Sequence, residues 1–332
     1  MMNDLIKSFP EDIEKSINIA DKTIIKSNCS DIRSIIICGL GGSGIGGKMI
    51  EKWFQNELPV PLIICQDYDV PAFVNADTLL IASSYSGNTE ETLSAVNQGI
   101  SKGAKVIGVC SGGKLSEICA ENSFDCVIVP GGNPPRTQIS HSLVQITNIF
   151  IKLGLIHQSH LKSFEIGKEL LKNKLEEIQS KGKEIADFAR DKFLITYAEA
   201  KMEPVALRMK QQLNENTKLL SYHNVIPEMN HNELVGWAGG SNRFAALFIR
   251  SPFEHTQNRK RFDFSMKRIE RITPHIMELY SDEKDTIVNS LYLIHIIDWA
   301  TYYLAEELGV DSIEIDVIDS LKESLSSDAI KN

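Results

Sequence analysis

Short apolar, β-branched runs alternate with amphipathic stretches along the first half of the chain. Residues 34–39, 61–66, 78–83, 105–110 and 126–130 are each apolar runs of strand length, and helical patterns lie between them at 49–54, 90–102 and 115–121. Strands that read as continuous apolar runs are buried on both faces, and helical crossovers between them predict a parallel sheet. The first half is therefore expected to be a doubly wound α/β domain of flavodoxin-like type. A Lys-rich amphipathic stretch at 157–183 predicts one connecting helix. The alternation then resumes with a strand at 192–197, a helix at 204–214 and a strand at 244–250. A basic helix at 258–269, a strand at 274–280 and a long helix at 284–308 complete it. The recurrence predicts a duplicated architecture, two parallel-sheet domains at 1–155 and 156–332, although no residue-by-residue repeat is visible.

Composition agrees with two domains: 332 residues, 42% hydrophobic, with a formal net charge of −9. An acidic chain without a basic block has little with which to neutralise a phosphate backbone, so nucleic acid is not an expected partner. No apolar run approaches the ~20 residues needed to cross a bilayer, so no membrane partner is expected either. The first residues lack the charged-then-apolar plan of a signal peptide, and the expected compartment is the cytoplasm. All of the cysteines (Cys29, Cys38, Cys65, Cys110, Cys119 and Cys126) fall in the first 126 residues without metal-type spacing. They read as small hydrophobes in a reducing compartment, with no metal site.

The chemistry is concentrated in two loops. Gly39-Leu-Gly-Gly-Ser-Gly-Ile-Gly-Gly-Lys48 follows the first strand. It matches a dinucleotide fingerprint through Gly39, Gly41 and Gly44, with Asp67 placed as a ribose-binding acid would be. It nearly matches a P-loop, but Met49 stands where a magnesium-binding hydroxyl is required. It equally suits a single sugar phosphate, because glycines let the backbone approach an anion and a helix start directs N–H groups at it. Gly41, Gly42 and Ser43 are the expected contacts. The second loop, Ser83-Ser-Tyr-Ser-Gly-Asn-Thr-Glu-Glu-Thr92, places the hydroxyls of Ser84, Ser86 and Thr89 around one helix start. One of them would serve as an N-cap, and three exceed what a cap needs. A dinucleotide does not require this second cluster, whereas a small phosphomonoester held between adjacent strand ends does. The second half has no glycine cluster, so the phosphate cradle is expected in the first half alone.

Gly-Gly-Ser after the first strand, with Ser-x-Ser-Gly-x-Thr-x-Glu-Thr after a later one, resembles the sugar isomerase (SIS) fold. Two such domains, with Asn214-Glu215-Asn216 and Pro227-Glu-Met-Asn-His-Asn-Glu233, resemble more narrowly the bifunctional phosphoglucose/phosphomannose isomerases. The resemblance runs from about Ile35 to Lys322. It implies an aldose–ketose isomerase that interconverts glucose 6-phosphate, and mannose 6-phosphate too, with fructose 6-phosphate through a cis-enediolate. No metal or redox cofactor is implied. Such chemistry needs a carboxylate base, a cation near the developing oxyanion and a proton donor for the ring oxygen. The resemblance assigns the base to Glu215, ring opening to His231 and the enediolate cation to Arg136, which sits behind the stiff Pro134-Pro135 pair. The amides and acids flanking His231 are expected to fix its tautomer, and His223, which lacks them, is read as structural. Lys322 resembles a C-terminal lysine that faces the sugar. Relatives commonly carry Asp-Pro-Thr-Pro upstream of it, where this chain has Asp311-Ser-Ile-Glu314. The resemblance also implies a homodimer with active sites near the interface, His231 reaching the neighbouring subunit's pocket. A non-catalytic phosphosugar sensor and a glucosamine-phosphate isomerase-type enzyme are the alternatives on the same fold.

Overall fold

Alternate residues of the first strand serve two different cores. Ile35 and Ile37 point to one side with Leu79 and Ile81, whereas Ile36 and Cys38 point to the other with Leu80 and Ala82. This period of two is what a strand covered on both faces requires. In the computed structural model, which describes residues 1–328, five strands form the first sheet, the inner three buried and the two edges partly exposed. They are β1 (Ser34–Cys38), β2 (Leu62–Cys65), β3 (Thr78–Ser83), β4 (Lys105–Cys110) and β5 (Asp125–Ile128), all parallel in the order β2-β1-β3-β4-β5. A second parallel sheet is built from β6 (Phe193–Glu199), β7 (Tyr222–Ile226), β8 (Phe244–Arg250) and β9 (Ile276–Tyr280), in the order β7-β6-β8-β9. The second order repeats the first without its last strand, so the architecture is duplicated, with two parallel-sheet α/β units as expected.

The inner faces of both sheets share one apolar layer. Ile35, Ile81 and Val109 from the first sheet and Leu194, Leu247 and Ile249 from the second belong to the same buried cluster. Helices Phe9–Lys22, Ile139–Lys152 and Thr286–Leu308 fill it. Ile139–Lys152 and Thr286–Leu308 are buried round most of their circumference, the burial expected of helices enclosed between layers. Among the described residues no helix is long and apolar enough to cross a membrane. The cysteines are all free thiols, each buried or partly so.

Four local expectations are corrected. The connecting stretch is two helices, His160–Asn173 and Leu175–Ala189. Asn173, a weak helix former, ends the first, and Lys174 leaves helical geometry at φ −105 and ψ 17. Strand β7 was not anticipated because Tyr222-His-Asn-Val-Ile226 carries polar residues along a sheet edge. The helix after β1 begins at Gly41 and runs to Phe54, not from Met49. Its glycines admit close packing: a Cβ on Gly47 would stand 2.9 Å from Ile37 Cγ2. Finally, helices Met2–Lys7, Phe9–Lys22 and Ile139–Lys152 add to the predicted set.

His295, fully buried on Thr286–Leu308, has Nε2 3.0 Å from the Ile6 carbonyl oxygen and so ties the first helix to the central layer. Burial pulls its pKa down to about 4. The unfolded chain therefore takes up this proton first as pH falls. The contribution is complete above about pH 6.5 and disappears between there and pH 4. Its size is ~3 kcal/mol at about 1.4 kcal/mol per pKa unit. Thermal melts from pH 7 to pH 4 are expected to show this loss, and His295→Gln to flatten part of it. Equal slopes for the two proteins would refute the assignment.

Candidate active site

In the first sheet β2 is added on one side of β1 and β3 on the other, so the strand order reverses there, and the loops leaving the carboxyl ends of the parallel strands β1 and β3 lie side by side. Open α/β sheets bind ligands at such a switch point. After β1 the chain turns through Leu40 into the helix Gly41–Phe54, whose first turn has no side-chain cap. The first N–H groups of a helix lack intrahelical acceptors, an arrangement that suits an anion. Ser43 is buried, and its Oγ accepts the Tyr85 N–H at 3.1 Å, which fixes the two loops to each other.

The three hydroxyls of the second loop are not equivalent. Ser84 is buried and its Oγ lies 2.8 Å from Thr89 Oγ1, so only one of that pair's protons remains to donate outward. Ser86 is exposed, and its Oγ accepts the Asn88 N–H at 3.2 Å, leaving its own proton free. Thr89 is the N-cap residue of Glu90–Ser101, without a side-chain cap bond. Two donors thus face outward where three were expected. The Asp67 carboxylate, the dinucleotide reading's ribose acid, instead accepts its neighbour Tyr68 N–H at 2.7 Å.

The glycine loop is also packed against the arginine. A Cβ on Gly42 would stand 2.9 Å from the Pro135 carbonyl oxygen and 3.4 Å from the Arg136 nitrogen, so only glycine allows this approach. Arg136 is 3% exposed. Its Nε donates to Asn216 Oδ1 at 2.9 Å and one terminal nitrogen to Glu215 Oε2 at 3.2 Å. The other terminal nitrogen donates to the carbonyls of Ser312 at 2.6 Å and Ile313 at 3.0 Å. A guanidinium has five N–H groups, so one remains. Burial lowers the Arg136 pKa and Glu215 opposes the shift; an arginine stays charged throughout.

Glu215 lies in a π-helical turn, Leu213–Thr217, that carries the helix Glu203–Gln212 past the end expected at 214. Such turns recur at functional sites because they redirect side chains. Asn216 within it is buried and donates to Thr301 Oγ1 at 3.0 Å. Beneath them Arg208 pairs with Asp298 through two bonds of 3.0 and 2.7 Å and donates to the Arg136 carbonyl at 3.0 Å. Gln212 donates to Asp298 as well, at 2.8 Å. A cavity of about 310 Å³ opens beside Glu215, walled by Lys218, Glu314, Ile315, Val317 and Ile318. That is the lower end of the size range of small-molecule sites.

The structure does not bring His231 to this cluster. It is exposed at the end of a 3₁₀ turn, Glu228–His231, and no hydrogen bond or ion pair joins it to Glu215. Its expected supports are engaged elsewhere. Asn230 donates to Ser265 Oγ, Asn232 to Glu228, and Glu233 accepts from Tyr197 and Asn224. His223 is partly buried on β7, and its Nδ1 has no partner. Lys322 is not in the cavity either: on the exposed helix Asp316–Asp328 its Nζ pairs with Asp319 at 2.8 Å, an i,i+3 contact. Sequence reasoning missed Lys218, Arg208 and Asp298 and gave Asn216 no role beyond its motif; their partners lie 72 to 96 residues away. Among the described residues no His, Cys, Asp and Glu are grouped as metal ligands.

Residues 178–325 match the family model described as the bacterial phospho-glucose isomerase C-terminal SIS domain. The chain is 33% identical, over 98% of its length and 99% of the relative's, to a bifunctional phosphoglucose/phosphomannose isomerase of Caldicellulosiruptor bescii. It is 34% identical, over 92% and 94%, to the protein of that name from Aquifex aeolicus. Among solved structures it resembles the C-terminal domain of glucosamine-fructose-6-phosphate aminotransferase from Francisella tularensis. The TM-score there is 0.77 and the identity 16%, covering 95% of this chain and 98% of that one. At that identity the likeness concerns the fold.

Proposed function

The chain belongs to the bifunctional phosphoglucose/phosphomannose isomerases, and from that premise we propose how its residues interconvert glucose 6-phosphate and mannose 6-phosphate with fructose 6-phosphate. The observation that carries the reading is the Glu215–Arg136 pair, packed against the glycine loop. The phosphate is held by the first-turn N–H groups of Gly41, Gly42 and Ser43 with the outward hydroxyls of the Ser84–Thr89 loop. The domain 1–155 thus anchors the substrate, and 156–332 supplies the base. In the open-chain aldose phosphate, Glu215 removes the C2 proton. The C2–H electrons form the C1=C2 bond, and the C1 carbonyl oxygen takes the negative charge of a cis-enediolate. The remaining Arg136 N–H faces that charge, in a buried setting where such donors act most strongly. The C2 hydroxyl proton passes to O1, which moves the charge to O2; as the C2=O bond forms, the C1=C2 electrons take the proton back from Glu215 at C1, and the ketose results. Glucose and mannose phosphates yield the same enediolate, so acceptance of both follows when C2 can present either face to Glu215.

Ring opening needs a proton donor and acceptor near the ring oxygen. We assign it to His231 of a second copy, because within one chain His231 stands exposed and apart. The protein then acts as a homodimer with active sites near the interface. Purified protein is expected to form fructose 6-phosphate from each aldose phosphate; conversion of neither would overturn the reading. His231→Ala is expected to lower turnover of the cyclic sugar about 100-fold, the scale of a lost acid–base group. Mixing it with Glu215→Gln after subunit exchange should restore up to a quarter of wild-type activity, since one site per mixed dimer is intact. No recovery in demonstrated mixed dimers would place both residues in one chain.

A further inference from the structure

The segment before the last helix is gripped by two cations chiefly through its main chain. Arg136 takes the carbonyls of Ser312 and Ile313. Lys218 Nζ takes those of Asp311 and Glu314, each at 2.7 Å, and that of Glu215 itself at 2.8 Å. Four consecutive carbonyls are thus shared between one guanidinium and one ammonium. The three N–H bonds of the ammonium are all directed at backbone oxygens, and its Glu314 carboxylate contact is longer, at 3.7 Å. Lys218 also sits at φ 59 and ψ 20, the left-handed position that closes the π turn. That backbone favours glycine or asparagine and disfavours a lysine by about 1 kcal/mol or more. The turn itself therefore gives no reason for a lysine; the grip does.

We propose that Lys218 is a positioning residue for the isomerisation, holding the Glu215 main chain against the 311–314 wall so that the carboxylate keeps its place beside Arg136. This rests on Glu215 being the base. Lys218 touches no reacting atom. Its removal frees the turn on one side and the wall on the other, and displacement of a reacting group by about 1 Å can cost 100-fold. The phosphate loops lie on the other sheet and are untouched, so the loss falls on turnover and not on binding.

The test compares Lys218→Asn and Lys218→Gly, both suited to the left-handed backbone, with Lys218→Arg, which keeps a cation. The two neutral variants are expected to lose at least tenfold in kcat for fructose 6-phosphate with KM within about threefold. Hydrogen exchange in the peptide 309–316 should accelerate in both. Lys218→Arg should recover kcat to within about threefold of wild type and restore the protection. A kcat within twofold of wild type in a folded neutral variant overturns the proposal. So does a loss of kcat without faster exchange at 309–316, or a loss that arginine does not repair. Should Glu215→Gln prove fully active, the base assignment fails on its own, while exchange at 309–316 still reports on the grip.

Discussion

Glu215→Gln is expected to lower isomerase turnover by about 10³–10⁴-fold, near the upper range for a positioned acid–base group, while leaving sugar-phosphate affinity within a few-fold of wild type. Glutamine keeps the shape and can still accept from Arg136, so the pair's hydrogen bond at 3.2 Å survives without its charge. What is lost is the ability to take the C2 proton. The discriminating measurement is solvent deuterium entry into the sugar. Wild type should label C1 of fructose 6-phosphate and C2 of the aldose phosphates, and the variant should label neither. Retained labelling at wild-type rate would mean that another group moves the proton, and the Glu215 assignment would fall.

The second large effect is on stability. Asp298→Asn leaves the Arg208 guanidinium, 2% exposed, without its charged partner in the layer beneath the site. Removing one member of a buried pair typically destabilises by about 3–5 kcal/mol, because the remaining charge stays buried and uncompensated. On a chain of this size the melting temperature should fall by roughly 4–7 °C. Arg208 also donates to the Arg136 carbonyl, so activity at low temperature should fall too, through the placement of Arg136. The combined change Arg208→Met with Asp298→Leu removes both charges and is expected to recover most of the stability. A melt of Asp298→Asn within 2 °C of wild type would show that Asp298 does not carry the charge.

How far the sequence reaches depends on the range of the interactions involved. The strands of the first sheet were legible because Ile35–Ile37 and Leu79–Ile81 are buried on both faces and leave an unbroken apolar signature. The two loops at the strand ends stood out because their distinctive residues are neighbours in sequence: Gly41, Gly42 and Ser43 in one, Ser84, Ser86 and Thr89 in the other. The start of the helix at Gly41 was not. Glycine opposes helix by intrinsic preference, and here packing against Ile37 and Pro135 overrides that preference. Helix Ile139–Lys152 escaped because its polar stripe, His141, Gln145 and Asn148, is not solvated but buried against helix Phe9–Lys22, where Ser16 and the Ser16 and Ala20 carbonyls pair with it. The pairing of Arg136 with Glu215, 79 residues apart, belongs to tertiary structure and could be inferred only by resemblance. Lys322 lies apart from that pair within one chain, its ammonium on Asp319 of its own helix.

The grip on 311–314 bears on how such a chain diverges. Every L-amino acid, proline included, offers the same carbonyl oxygen, so Arg136 and Lys218 hold this stretch whatever letters spell it. Asp311-Ser-Ile-Glu314 and the Asp-Pro-Thr-Pro of relatives can be alternative spellings of one anchored wall. Mutational drift is then penalised at the two cations and at Asp311, whose carboxylate accepts the Ile313 N–H, and tolerated better at Ser312 and Ile313. The side chains bordering the sugar become free variables on a fixed mount, and substrate preference can be retuned there without first rebuilding the fold.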